Sequence, residues 1–267
     1  MFTHTVKSVD TPSGQSFIRE VHSTLASEAG ETAKRVAFDC EGVNLCRLGS
    51  VEIVSVCFPT LNVYLVDFCG TACPEIMKSV TDLFESASVT KVIHDCRMDC
   101  DALYHLHGIQ VKNVHDTSCF HILEDSNLND VLSYNGMIIN SARDKSVYKR
   151  NPRFWCTRPL TTTMVEWASS DVKSLFALAD AQLSGMTSAS KSAAMAKSSQ
   201  YSNNICGMKV CRGLTVRKPG LFIGRRGQNL RSLQKRTGTI IYSDNDGWFV
   251  YYVDDASLNA VKRSMSM

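Results

Sequence analysis

The alternation of apolar and polar positions predicts a helix over Gln15 to Ser27, followed by three strand-like runs at Val36 to Glu41, Val51 to Phe58 and Asn62 to Phe68. Gly and Pro separate these runs and the connections are short, so the three should form an antiparallel meander. Pro74 suits the first turn of a helix, and Glu75-Ile-Met-Lys-Ser-Val-Thr-Asp-Leu-Phe84 repeats apolar residues at helical spacing. Lys91-Val-Ile-His94 predicts a short buried strand, and Met98 to His107 a helix with Ala102, Leu103 and Leu106 on its apolar side. Val111 to Val114 predicts a further strand and Cys119 to Leu123 a helical segment. Gly136 to Arg158 lacks periodicity and carries Arg143, Lys145, Lys149, Arg150 and Arg153, the pattern of a long loop that is either functional or disordered. Thr161 to Thr163 can cap a helix running from about Met164 to Leu183. This order predicts an α/β fold in which a mixed sheet is flanked by helices.

The composition changes after residue 183. Ser184-Gly-Met-Thr-Ser-Ala-Ser-Lys-Ser-Ala-Ala-Met-Ala-Lys-Ser-Ser199 is small, polar and low in complexity, so residues 184–204 read as a flexible linker. It would join a first domain at 1–183, with an N-terminal helical extension, to a small second domain at 205–267. Within the second, Leu214 to Arg217 predicts a strand, Lys218 to Ile223 a helical turn, and Gly224-Arg-Arg-Gly227 a tight loop. Gln228 to Arg236 predicts an amphipathic helix ended by Gly238, Thr239 to Tyr242 and Trp248 to Val253 two strands about a turn at Asn245-Asp-Gly247, and Asp254-Asp-Ala-Ser257 the cap of a last helix to Met265. The second module is therefore α+β, in the order β-α-α-β-β-α.

With 267 residues, 44% of them hydrophobic, the chain can bury one substantial core and a small second one. No apolar run approaches the roughly 20 residues that span a bilayer, so no membrane partner is expected. The first ten residues lack the apolar stretch of a signal peptide, which favours an intracellular setting in cytoplasm or nucleus. Eleven scattered cysteines fit reduced thiols better than a disulfide framework. Cys96, Cys100, His105 and His107 fit no zinc-knuckle spacing and read as structural. The net charge of +3 is unevenly spread, for Ile205 to Ser243 holds Lys209, Arg212, Arg217, Lys218, Arg225, Arg226, Arg231, Lys235 and Arg236 without one Asp or Glu. A one-sided stretch of this kind points to a polyanionic partner.

The candidate chemistry is carboxylate chemistry. Asp39 and Glu41 in Val36-Ala-Phe-Asp-Cys-Glu-Gly-Val43 are spaced i, i+2 and leave the same face of a strand. Apolar residues flank them, and carboxylates at a buried edge are costly unless cations are present. Asp99 in His94-Asp-Cys-Arg-Met-Asp99 and Asp171 in Trp167-Ala-Ser-Ser-Asp-Val172 are the acids expected to converge on the pair, together holding two divalent cations, Mg²⁺ or Mn²⁺. Of the acids beside Asp99, Asp95 is expected to cap the helix and Asp101 to face solvent.

Set on these elements, the motifs from Arg35 to Leu183 resemble DEDD-type 3′-5′ exonucleases of the ribonuclease D group, which have a ribonuclease H-like fold. Phe38-Asp-Cys-Glu-Gly-Val-Asn-Leu-Cys-Arg47 is most similar to the branch of Egalitarian and its exonuclease-like relatives. His94-Asp-Cys-Arg-Met-Asp99 resembles the second motif of the group, Asp116-Thr117 the turn after the next strand, and Arg158-Pro-Leu-Thr161 with Trp167-Ala-Ser-Ser-Asp171 the third. The resemblance implies that Asp39, Glu41, Asp99 and Asp171 are metal ligands. It also implies a water-orienting residue at position 167, where the group carries Tyr and this chain carries Trp167, an N–H donor with no acceptor. The second module resembles a type I KH domain, which implies that Gly224, Arg225, Arg226 and Gly227 clamp the backbone of single-stranded RNA or single-stranded DNA. The expected function is a metal-dependent 3′-5′ exonuclease acting on single-stranded nucleic acid, RNA before DNA. The alternatives are a weak or inactive exonuclease-fold RNA-binding adaptor and a DNA-processing exonuclease.

Overall fold

The five strands predicted for the first module build its sheet together with a sixth that the sequence did not signal. The computed structural model describes residues 2–28, 34–70, 73–120, 126–244 and 247–267. The chain divides into two units, Met1–Asn203 and Asn204–Met267. Unit one contains β1 (Thr3–Val6), α1 (Pro12–Ala26), β2 (Arg35–Glu41), β3 (Ile53–Cys57), β4 (Val63–Asp67), α2 (Pro74–Glu85), β5 (Thr90–Ile93), α3 (Arg97–His107), β6 (Val114–Asp116), α4 (Leu128–Tyr134), α5 (Val147–Arg150) and α6 (Thr162–Ser184), and most of α7 (Ser188–Gly207). The strands form one sheet in the order β1-β4-β3-β2-β5-β6. β2, β3 and β4 are the antiparallel meander, while β5 lies parallel to β2, β6 parallel to β5 and β1 parallel to β4.

Every residue of β3 and β4 is buried, as strands covered on both faces must be. On one face α6 packs Trp167, Ala168, Val172 and Leu175 against Ala37, Ile53, Leu65 and Val92. Thr161 caps α6 by accepting the Met164 N–H at 3.3 Å. At the other edge Phe17 of α1 packs edge-on to Phe58, centroids 6.2 Å apart, and 5.4 Å from Tyr64.

Several expectations are corrected. The flexible linker is helix α7, because Ser188 to Cys206 contains neither Gly nor Pro and offers Ala194 and Ser198 to a buried face. Ser198 Oγ accepts the N–H of Asp116 at 3.1 Å, tying α7 to the end of β6. Strand β1 had no signal in its four residues, and β6 begins where the Val111 to Val114 strand was expected to end. The Cys119 to Leu123 helix is a 3-10 turn over Thr117–Phe120 as far as the described residues reach. The aperiodic Gly136 to Arg158 segment contains α5 and a 3-10 turn, Phe154–Cys156. Asp101 does not face solvent: it is wholly buried and accepts the Arg47 backbone N–H at 2.7 Å and its Nε–H at 2.8 Å. Asp95 does not cap α3 but pairs with Arg97 at 2.5 and 2.9 Å.

Asp116 takes the capping task instead. Its buried carboxylate accepts the N–H groups of Asp95 and Cys96, both at 2.8 Å, and the N–H and O–H of Ser118. Asp95 has φ 60°, a left-handed conformation that costs a side-chain residue energy, and the two bonds from Asp116 hold that turn and aim α3.

Unit two comprises β7 (Lys209–Leu214), α8 (Pro219–Ile223), α9 (Gln228–Thr237), β8 (Ile240–Asp244), β9 (Gly247–Tyr252) and α10 (Asp255–Ser266). Its antiparallel sheet runs β7-β9-β8. Phe222, Leu233, Ile241, Val250, Leu258 and Val261 form its core. Asp254 caps α10 by accepting the Ser257 N–H at 2.8 Å. The element order is the one predicted, although the first strand lies earlier than Leu214 to Arg217, and the turn expected at Asn245-Asp-Gly247 lies largely outside the described residues.

Replacing Asp116 with Ala strands buried N–H donors at the start of α3, so Asp116→Ala should lower the unfolding free energy by about 3 kcal/mol. Removing the exposed Asp82, paired with Lys78 at 2.7 Å, should cost less than about 1 kcal/mol. Urea unfolding of both variants checks the difference; equal losses would contradict the capping role.

Candidate active site

The predicted acids meet where β2 passes α6. Asp39 and Glu41 leave the same face of β2, whose register opposite β3 sets Asp39 beside Ser55 and Glu41 beside Ile53. Asp171 reaches them from the third turn of α6, with one oxygen from each of the three carboxylates within 4.8 Å of the others. Among the described residues this trio is the group of metal-ligating side chains that comes so close. Cys96, Cys100, His105 and His107 form no such group.

Asp99, the fourth predicted ligand, lies outside the trio. Its Oδ1 accepts the Cys40 N–H at 2.9 Å, which docks α3 onto β2 between the two strand acids. Trp167 is 1% exposed and its indole N–H has no hydrogen-bond partner among the described residues. It packs 5.6 Å from Trp155, 6.1 Å from Phe154 and 5.9 Å from Tyr148, within the aromatic core beside Asp171.

The segment between α4 and α6 supplies side chains that sequence periodicity does not reveal. Asn140, buried, donates from Nδ2 to Asp171 Oδ1 and to the Trp167 carbonyl, both at 2.9 Å. Arg143 donates to Asp171 Oδ2 at 3.0 Å. Tyr148 donates its O–H to Glu41 Oε2 at 3.4 Å and accepts the indole N–H of Trp155 at 3.0 Å. The one sequence signal for these groups was the length and basic character of the loop.

The electrostatics follow from burial and like charge. Burial, and then the charges of Asp99 and Asp171, push Asp39 well above the usual carboxylate range, against the pull of Arg143 and Lys145. Glu41 is raised in the same way, by burial and by Asp39. Burial takes Asp99 up to about 7, although the Cys40 N–H favours its anion. Burial works against the Arg143 cation, but Asp171, Asp39 and Glu41 outweigh it and raise its pKa.

Hard oxygen donors so close together match Mg²⁺ or Mn²⁺, whose ligand oxygens sit roughly 2.0–2.1 Å from the ion in the Mg²⁺ case. The donor set fits a divalent cation, which would offset both the burial and the like charge that raise these acids.

In unit two, Gly224 has φ 73° and Gly227 φ 76°, both left-handed, and the exposed Arg225 and Arg226 lie between them. A Cβ at Gly224 would lie 2.6 Å from Asn229 Cγ, whose amide donates to the Leu221 carbonyl at 2.8 Å and closes the loop over α8.

A family model described as 3′-5′ exonuclease matches residues 18–184. The piRNA biogenesis protein EXD1 of Mus musculus is 28% identical over 144 residues, 47% of this chain and 25% of that protein. The Homo sapiens protein of that name is 26% identical over 165 residues, 55% of this chain and 32% of its own. The chain thus spans about a third or less of these two relatives. Trypanosoma brucei RNase D in complex with RNA U12 superposes with TM-score 0.60 at 23% identity, covering 77% of this chain and 71% of that one. Brucella melitensis NrnC with bound Mg²⁺ gives TM-score 0.53 at 19% identity, covering 76% and 90%. These structural matches establish a shared fold.

Carboxylates raised in the folded state hold protons that the unfolded chain has lost. For Asp99 the stabilisation is complete below its ordinary value of 3.8 and disappears as pH rises through about 7. Metal must displace these protons at low pH but not at high pH. Mn²⁺ at one fixed concentration, about 100 times its dissociation constant at pH 8, should therefore raise Tm by about 5 °C or more at pH 8 and by less at pH 5.5. Thermal melts with Mn²⁺ and with EDTA check this; an equal shift at both pH values would contradict the account.

Proposed function

Because the chain belongs to the 3′-5′ exonuclease family, which its residues 18–184 match, we propose that it removes nucleotides from the free 3′ end of single-stranded RNA, with Asp39, Glu41, Asp99 and Asp171 as the acids that hold two Mg²⁺ or Mn²⁺ ions. The observation that carries this reading is the convergence of half-buried Asp39 with buried Glu41 and Asp171 at one point of an exonuclease fold. Divalent cations supply Lewis-acid stabilisation of the phosphodiester and a lowered pKa for water. The chain's own residues do the rest. Asn140 fixes the rotamer of Asp171, and the Cys40 N–H fixes Asp99. Arg143 and Lys145 bring positive charge to the acids, which favours approach of a phosphate anion.

RNA as the substrate is supported by the names of the relatives and by unit two. A β-α-α-β-β-α order with an antiparallel three-stranded sheet, a Gly-x-x-Gly loop between two helices and an acid-free basic stretch all suit a type I KH domain. The loop offers flexible backbone and two exposed cations to phosphates, while unit one supplies the chemistry. The expected setting is intracellular, in cytoplasm or nucleus.

Incubated with Mg²⁺ or Mn²⁺, the chain should shorten RNA that has a free 3′ hydroxyl and spare RNA blocked at that end. Asp39→Asn and Asp171→Asn should each slow cleavage at least about 100-fold and leave RNA binding within about twofold of the parent. Cleavage by both variants at the parental rate would sink the assignment of the acids, and binding without cleavage by the parent would point to an adaptor.

Asp at both 225 and 226 replaces two phosphate-facing cations with anions. Arg225→Asp with Arg226→Asp should weaken single-stranded RNA binding at least about tenfold and flatten its salt dependence by about 1.4 in log–log slope. Cleavage of a short substrate at saturation should stay within about twofold. Isotherms at two salt concentrations decide the matter, since an unaltered slope would remove the loop from the RNA contact.

A further inference from the structure

The hydrogen bonds from Trp155 to Tyr148 and from Tyr148 to Glu41 run in one direction. An indole N–H is a donor and nothing else. At 3.0 Å from the Tyr148 oxygen it takes one of that oxygen's lone pairs, which turns the single phenolic proton away from Trp155. Glu41 Oε2, at 3.4 Å, is the acceptor on the other side. We propose that Tyr148 is a positioning residue for Glu41, held in that role by Trp155.

Trp155 is anchored firmly enough to serve as the fixed end. It is 1% exposed, wedged between Phe154 at 5.1 Å and Trp167 at 5.6 Å. Its carbonyl accepts Arg158 Nη1 at 2.6 Å, and the same guanidinium binds the buried Asp67 at the end of β4 at 2.6 and 2.7 Å. The line therefore runs from the sheet through Arg158, Trp155 and Tyr148 to one oxygen of Glu41. It restricts rotation of a carboxylate that must present its other electron pairs beside Asp39 and Asp171.

Packing alone does not call for these polar atoms. Phe in place of Tyr148 or Trp155 would fill apolar space without a buried hydroxyl or N–H to satisfy. The Trp155 N–H finds its partner only because the Tyr148 hydroxyl is there, and the line ends on an acid of the site. The same loop reaches Asp171 through Arg143, so it touches acids on both β2 and α6.

The kinetic part of the proposal rests on the exonuclease reading, and the metal-binding part does not. The test measures Mn²⁺ binding by titration calorimetry, melting temperature and steady-state RNA cleavage for the full chain and for Tyr148→Phe, Trp155→Phe and the double variant. Residues that orient a ligand typically contribute about 10–100-fold to metal affinity or activity. Tyr148→Phe should bind Mn²⁺ about tenfold more weakly and lower kcat about tenfold, with KM within about twofold and Tm within about 2 °C. Trp155→Phe should weaken Mn²⁺ binding by a smaller factor, and the double variant should bind no more weakly than Tyr148→Phe alone, because the two act through one contact. Unchanged Mn²⁺ affinity in Tyr148→Phe, or losses that simply add in the double variant, would overturn the proposal. If the parent fails to cleave, the exonuclease reading falls while the Mn²⁺ titrations still decide the role of Tyr148. If Tyr148→Phe fails to fold, an unchanged affinity in Trp155→Phe overturns it and a weakened one at parental Tm supports it.

Discussion

Mutual repulsion of carboxylates in a nearly dry site is the constraint on which the arrangement of unit one depends. Two anions at the 4.8 Å limit that separates the oxygens of Asp39, Glu41 and Asp171 repel by about 3 kcal/mol at an effective dielectric of about 20. Three such acids do not stay together unless something holds them. The chain uses Arg143 and Asn140 on Asp171, Tyr148 on Glu41 and the Cys40 N–H on neighbouring Asp99. These groups offset part of the repulsion, while burial first, and then the neighbouring acids, hold Asp39 and Glu41 above the usual carboxylate range. A site in that condition favours divalent cations, and the fold is built to keep it so.

Rigid supports behind the acids prevent the alternative, in which they swing apart. Asp116 holds the left-handed turn at Asp95 and so aims α3, Arg47 pins Asp101 on the same helix, and Arg158 joins the loop at Trp155 to Asp67 of β4. Each support is a buried charge with several hydrogen bonds, the form in which buried charge is tolerated. None touches the trio directly, yet each fixes an element that carries an acid or holds one. The site is thus positioned by polar contacts laid over an apolar core of β2, β3, β4 and α6.

Local periodicity made much of this legible in the sequence. The i, i+2 spacing of Asp39 and Glu41 set both on one face of a strand, and apolar spacing located α2, α3 and α6, hence Asp99 and Asp171. The β-α-α-β-β-α order of unit two followed from turn residues and short amphipathic runs. What escaped was non-local. Asp101 looks like a solvent-facing acid until Arg47, far away in sequence, arrives against it. Asn140, Arg143 and Tyr148 lie in a loop without period, so nothing in the chain says which of its polar side chains turn inward. Helix α7 was hidden by small polar residues, whose helix shows no apolar stripe even though Ala194 and Ser198 are buried. Trp167 matched a motif position by spacing, whereas its burial among Phe154, Trp155 and Tyr148 depends on the fold of that same loop.

Arg143 leaves the trio short of neutrality, so a divalent cation should take its place. Crystals of the protein soaked with Mn²⁺ and measured for anomalous scattering at the manganese edge test it most directly. The account predicts anomalous density among the oxygens of Asp39, Glu41 and Asp171, in two peaks roughly 3.5–4 Å apart, with Arg143 drawn away from Asp171. Absence of anomalous density there at millimolar Mn²⁺, with Arg143 still paired to Asp171, would contradict it.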